Sequence, residues 1–138
     1  MRQHPHTGRV SATLPLISNL TVWENVALVK QYHHHFSKRA ARALILRYLA
    51  RIGLASVAQV RDSELSEEQR FSVMILRSVM IPDAIVLIDR PFNVLPASVD
   101  ASLIFNVLNL LDDLYIQCYI FDYTLNQHRY RVTNATND

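Results

Sequence analysis

The chain has 138 residues, half of them hydrophobic, and a net charge of +2 at neutral pH, which suits one domain with a sizeable core. So small a charge, with basic residues spread along the chain, argues against a nucleic-acid surface, and no apolar run approaches the ~20 residues that span a bilayer. The lone Cys118 excludes an internal disulfide and fits a buried thiol in a reducing interior. Met1 to His6 lacks the apolar stretch of a signal peptide, so a cytoplasmic protein without direct membrane insertion is expected.

In chain order, Thr21 is placed to cap a helix running to about Tyr32, with Val22, Val26 and Val29 on one side. His33, His34 and His35, with His4 and His6, offer imidazoles. Adjacent histidines at a helix end point in different directions, so a polar helix-to-loop junction explains them better than a metal site, and no metal is expected. Ser37 starts a second helix to about Ile52, whose Ala41, Leu44, Ile45, Tyr48, Leu49 and Ile52 share a face and which Gly53 ends. Arg39, Arg42, Arg47 and Arg51 lie mostly opposite, as a solvated face would.

A short helical piece is expected over Ala55 to Val60, and a helix from Ser66 to about Met80, apolar on two sides, that Pro82 terminates. Ala84 to Ile88 reads as a buried strand. Ser98 to Leu114 reads as a helix turning Leu103, Val107, Leu110, Leu111 and Leu114 inward. Gln117 to Phe121 reads as a second strand, parallel to the first, and His128 to Thr133 alternates weakly as a third. The fold class is therefore α/β: a single domain with a helical subdomain over about 14–82, a residual parallel sheet over 83–133 and a polar tail at 134–138. A sheet so small leaves apolar faces to be covered by a second copy or by a partner.

Three separated strings carry a family resemblance. Leu65-Ser66-Glu67-Glu68-Gln69 opens a helix, Ala84 to Pro91 is an apolar strand ending in Asp89, and Leu16 to Leu28 contains Thr21-Val22-Trp23-Glu24-Asn25-Val26. In their order along the chain and at this spacing they resemble the ATP-binding cassette ATPases, with the Leu16 to Leu28 string closest to cassettes of lipid and organic-solvent import systems. The resemblance runs from about Leu14 to Thr124. It implies a parallel-sheet nucleotide-binding fold that meets a membrane subunit through its helical part, which points to Leu20, Val22 and Trp23 as an exposed partner-binding region.

The chemistry that the resemblance would bring is altered position by position. The family's pentapeptide is Leu-Ser-Gly-Gly-Gln, in which two glycines let phosphate approach a helix start; here Glu67 and Glu68 add charge repulsion and bulk. Ser66 and Gln69 form a capping-box pattern that satisfies the helix end internally. Asp89 stands at the magnesium-associated aspartate. Arg90, which has no acceptor, replaces the glutamate that polarises the attacking water, and pairing with Asp89 is its expected role. Tyr123 stands near the histidine that contacts the γ-phosphate, Leu95-Pro96 at a leucine-aspartate pair, and Ala12 at the loop glutamine. Neither Gly8 nor Gly53 begins a Gly-x-x-x-x-Gly-Lys-Ser/Thr cradle, so the chain corresponds to the part of the family fold after that loop.

The residues so marked, Ser66, Glu67, Glu68, Gln69, Asp89, Arg90 and Tyr123, form a vestigial nucleotide site with no catalytic member, and no cofactor is expected. The expected function is a non-hydrolysing, partner-binding or regulatory component of a transport system, as a homo-oligomer or on a transporter membrane subunit at the inner membrane. Two alternatives stand beside it. In one the chain completes a composite ATP site with a full cassette, using ATP and magnesium; in the other it is a folded remnant without a present task.

Overall fold

The computed structural model describes residues 6–130, apart from the side chains of His33 and His34. Its frame is a three-stranded parallel sheet of β1 (Thr7–Val10), β2 (Ala84–Asp89) and β3 (Tyr115–Phe121), in the order β1-β2-β3. Thr7 pairs with Ile85 and Val10 with Ile88; on the other side Ala84 pairs with Tyr115 and Asp89 with Phe121. The α/β class is as the sequence implies. The third strand, however, is β1 and not the stretch from His128. Residues Thr124–Tyr130 form a 3-10 helix, and 131–133 lie outside the described residues.

The helices are α1 (Val22–His34), α2 (Lys38–Arg51), α3 (Glu67–Ser78) and α4 (Ser102–Leu110). Local chemistry sets most of their ends. Thr21 caps α1 in a box with Glu24, Ser37 accepts from the Ala40 amide at the start of α2, and Ser66 caps α3 in a box with Gln69. Gly53, at φ +75°, takes the left-handed turn after α2 that other residues adopt at a cost. A short 3-10 helix covers Ala55–Val57, within the stretch to Val60 where a short helical piece is expected. The helix expected from Ser98 begins only at Ser102, since Asp100 accepts from the Ser102 amide at 2.8 Å and also from its hydroxyl. Its inward side is Ile104, Val107, Leu108 and Leu111. Leu110, expected inside, is 48% exposed, because the stripe that faces the core runs through Ile104, Val107, Leu108 and Leu111 and leaves Leu110, with half-buried Leu103 seven residues before it, at its flank.

Helix α3 is the hub: it packs on α1, α2, α4 and β1, and Phe71, Met74, Ile75 and Leu76 are fully buried. Each such side chain removed from water stabilises the fold by about 1.5–3 kcal/mol. The strand β2 alternates, with Ala84, Val86 and Ile88 in this core and Ile85, Leu87 and Asp89 half-buried on the other face. On β3 the residues in register with that second face, Tyr119 and Phe121, are exposed. Helices thus cover one side of the sheet more fully than the other.

Candidate functional site

At the start of α3 the capping groups are bonded to one another. The Ser66 hydroxyl accepts from the Gln69 amide at 3.1 Å, and the Gln69 side chain accepts from the Ser66 amide at 2.9 Å. Arg70 reaches back to the turn before the helix, donating to the Asp62 carboxylate at 2.6 Å and to the Asp62 and Leu65 carbonyls. Glu67 and Glu68 project into solvent from the first turn, where carboxylates complement the helix dipole. Glu67 borders a cleft of about 250 Å³ with Ala12, Pro15, Arg70 and Asn93. Glu68 and Gln69 border another of about 280 Å³ with Leu103 and Asn106.

The second group of marked residues assembles at the carboxyl end of the sheet, where open α/β folds gather ligands. Asp89 closes β2, and Arg90 follows in the left-handed region at φ 48°, its amide donating to the Phe121 carbonyl at 2.7 Å. That turn folds the Arg90 side chain over the strand ends. Its Nε lies 3.5 Å from Asp89 Oδ1, and its guanidinium stacks 5.3 Å from the Tyr123 ring. Asp89, Arg90 and Tyr123 are therefore one cluster, with the arginine between the acid and the ring. Arg90 gives the cluster a cation, which has no acceptor of its own.

Beside it lies a cavity of about 500 Å³ lined by Phe105, Ile120, Asp122, Tyr123, Thr124 and Gln127, with Tyr130 at its wall. Asp122 accepts from the Tyr130 hydroxyl at 2.6 Å, the Asn126 amide group at 3.0 Å and the Tyr123 backbone at 2.7 Å. Burial, and then the bond to Asp122 and its charge, push the Tyr130 phenol well above its ordinary range. Arg129 stacks 3.5 Å above the Phe92 ring and donates to the carbonyls of Pro96, Ala97 and Val99, fixing the segment that leads to α4. Sequence reading missed Asp122, Arg129 and Tyr130. The carbonyls that hold Arg129 are remote from it in the chain, and no spacing announces any of these contacts.

The partner-binding region is corrected in part. Trp23 is 5% exposed and Val22 1% exposed, while Leu20 is half-buried, so the tryptophan and valine belong to the core and present no surface. Two bonds tie the start of α1 down: Val22 N–H to the Val60 carbonyl and Trp23 N–H to the Ala58 carbonyl. Arg42 stacks 5.9 Å over the Trp23 ring. The loop before α1 hangs on Asn25, which is buried, accepts from the Ile17 amide at 2.7 Å and donates to the carbonyls of Ile17, Leu20 and Thr21. Bonds from the Thr21 backbone and hydroxyl hold the Glu24 carboxyl below its usual range. His4 lies outside the described residues, and among those described no three metal-binding side chains gather.

No protein-family model matches the chain. It is similar to the sulfate/thiosulfate import ATP-binding protein CysA of Burkholderia mallei, 36% identical over 112 residues, which are 79% of this chain and 32% of that protein. The glutamate transport ATP-binding protein GluA of Corynebacterium efficiens is 28% identical over 107 residues, 78% of this chain and 43% of its own length. The macrolide export ATP-binding/permease protein MacB 2 of Yersinia pestis is 30% identical over 132 residues, 92% of this chain and 19% of its own length. The chain thus spans about a third of the sulfate/thiosulfate relative that it matches, and the cargoes in these names differ from one another.

Proposed function

The chain belongs to the ATP-binding cassette ATPase family, and we propose that within it the chain is a non-hydrolysing component that binds a partner or regulates a transport system. The observation that carries this reading is the Asp89–Arg90–Tyr123 cluster. An aspartate at the end of β2 is suited to a magnesium ion, but Arg90 sits 3.5 Å from it and offers no lone pair to an attacking water. A bound metal would have to displace that cation.

The start of α3 supports the same conclusion from the opposite charge. Glu67 and Glu68 hold two negative charges at a helix end that Ser66 and Gln69 already cap. Both carboxylates carry the sign of an incoming phosphate, so they oppose the attraction that the helix dipole would otherwise offer it. Within these 138 residues the two glycines, Gly8 and Gly53, supply no phosphate cradle.

The membrane connection of the reading comes from the relatives, one of which is named as an ATP-binding/permease protein. No helix among the described residues is long and apolar enough to cross a bilayer, and the partner in this reading is a transporter membrane subunit. Phosphate release tests the proposal. The chain alone, with ATP and magnesium, should release phosphate at the rate of buffer. Mixed with a complete cassette, it should add no ATP turnover that depends on its own Ser66 or Arg90. A rise that disappears in Arg90→Ala or Ser66→Ala would establish instead that the chain completes a composite ATP site.

A further inference from the structure

The net charge of +2 conceals a sharp division along the chain. From Asn25 to Arg61 there are seven lysines and arginines and no aspartate or glutamate, whereas the rest holds the other seven cations against all 12 acids. The folded chain collects the first set on the hairpin of α1 and α2 and its flank. Arg51 is tied to Asp113 at 2.6 Å, which joins the hairpin to the acidic remainder. Lys38, Arg39, Arg42 and Arg47 are exposed and take part in none of the ion pairs among the described residues, which are Arg51–Asp113, Arg70–Asp62 and Arg90–Asp89. Glu24 feels the charge of Lys38, but its carboxylate is bonded to Thr21.

Apolar side chains protrude at the same end. Leu28 and Tyr32, one turn apart on α1, are 40% and 78% exposed, and Phe36, in the connection to α2, is 38% exposed. Lys38 and Arg39 begin α2 just beyond it, and Arg42 follows on the side of Lys38. Between Leu28 and Arg42 an aliphatic and two aromatic side chains thus stand among four cations, Lys30 included, and the stretch holds no acid.

We infer that the turn between α1 and α2 docks on an anionic phospholipid surface, with Lys38, Arg39 and Arg42 meeting headgroup phosphates while Leu28, Tyr32 and Phe36 enter the boundary beneath them. The charge complementarity is one-sided, since a turn made of cations and apolar groups is attracted to a negative leaflet across its whole width. Aromatic rings with a polar end are suited to the headgroup level, and lysine and arginine stems reach past them to water. A nucleic acid or an acidic protein would engage the cations and leave Leu28 and Phe36 with no role. The inference does not depend on whether the chain binds nucleotide.

Co-sedimentation of the whole chain with vesicles of phosphatidylcholine, with and without roughly one third phosphatidylglycerol, tests it. Binding is expected on the anionic vesicles only and should weaken as salt is raised. Each cation at such a surface changes partitioning by about fivefold, so Lys38→Gln with Arg39→Gln should lower it on the order of 25-fold, and Tyr32→Ser with Phe36→Ser should lower it as well. These positions are exposed, and an unchanged far-ultraviolet circular dichroism spectrum would verify that the variants fold. Arg9→Gln, outside the hairpin, should bind as the unaltered chain does. Equal binding to neutral vesicles, or an equal loss in Arg9→Gln, would overturn the assignment. So would retention by polyglutamate or duplex DNA in a chain that ignores vesicles.

Discussion

Gly8 is the residue whose replacement the structure forbids most directly. It lies in β1, in register with Val86, where the strand passes the last turn of α3. A Cβ at this position would fall 1.9 Å from the Ser78 carbonyl oxygen, 2.7 Å from its carbon and 3.0 Å from the Ser78 Cα. All three are backbone atoms, so relief requires the strand or the helix to move bodily. Overpacking of a rigid core costs about 1–3 kcal/mol, and a backbone clash falls at or above the top of that range. Gly8→Ala should therefore lose about 3 kcal/mol or more in urea unfolding, or else release β1, with loss of amide protection from Thr7 to Val10. Gly53→Ala provides the contrast. Nothing lies within 4 Å of its Cβ, and only the left-handed backbone at φ +75° opposes it, for about 1–2 kcal/mol. If Gly8→Ala unfolds at the same urea concentration as the unaltered chain, with β1 amides still protected, the packing argument around α3 is wrong.

Asn25→Leu should cost roughly 2–3 kcal/mol in the same assay, because it leaves the Ile17 amide and three carbonyls beside a buried side chain that cannot bond them. The Glu24 carboxyl is held low in the folded chain, so its contribution is present above its ordinary value of 4.5 and is lost as pH falls through the folded one; Glu24→Gln should flatten the acid side of a stability profile. Tyr130 has the opposite sign. Its phenol is raised, so its contribution holds below pH 10.0 and is lost as pH rises further, and Tyr130→Phe should blunt alkaline unfolding. Burial pushes the Cys118 thiol from 9.0 to about 11, so alkylation at pH 8, followed by mass spectrometry, should run slower in the folded chain than in urea.

What the sequence disclosed was local. Thr21 with Glu24, Ser37, Ser66 with Gln69, and Gly53 mark helix ends because each residue and its partner lie within one turn, and α1, α2 and α3 begin where those pairs stand. The strand β2 was legible because it is a short apolar run between Pro82 and an acid. The strand β1 was not, since Thr-Gly-Arg-Val has one large apolar residue and its pairing partner, β2, comes only after all of α1, α2 and α3. Trp23 read as exposed because the string around it resembles a partner-binding segment, yet its side chain is 5% exposed and its amide is bonded to the carbonyl of Ala58, a residue distant in the chain. Within the candidate site, the Asp89–Arg90 pair was foreseeable from adjacency. Asp122, Tyr130 and Arg129 were not, because the closing of the 3-10 helix over the strand ends makes their cluster.

In the proposed reading, carboxylates at the start of α3 and a cation beside Asp89 leave a nucleoside triphosphate without a site. Isothermal titration of the whole chain with ATP, in the presence and absence of magnesium, puts this to the test. No saturable heat should appear up to millimolar nucleotide. Micromolar affinity that requires magnesium and is abolished in Asp89→Ala would contradict the account.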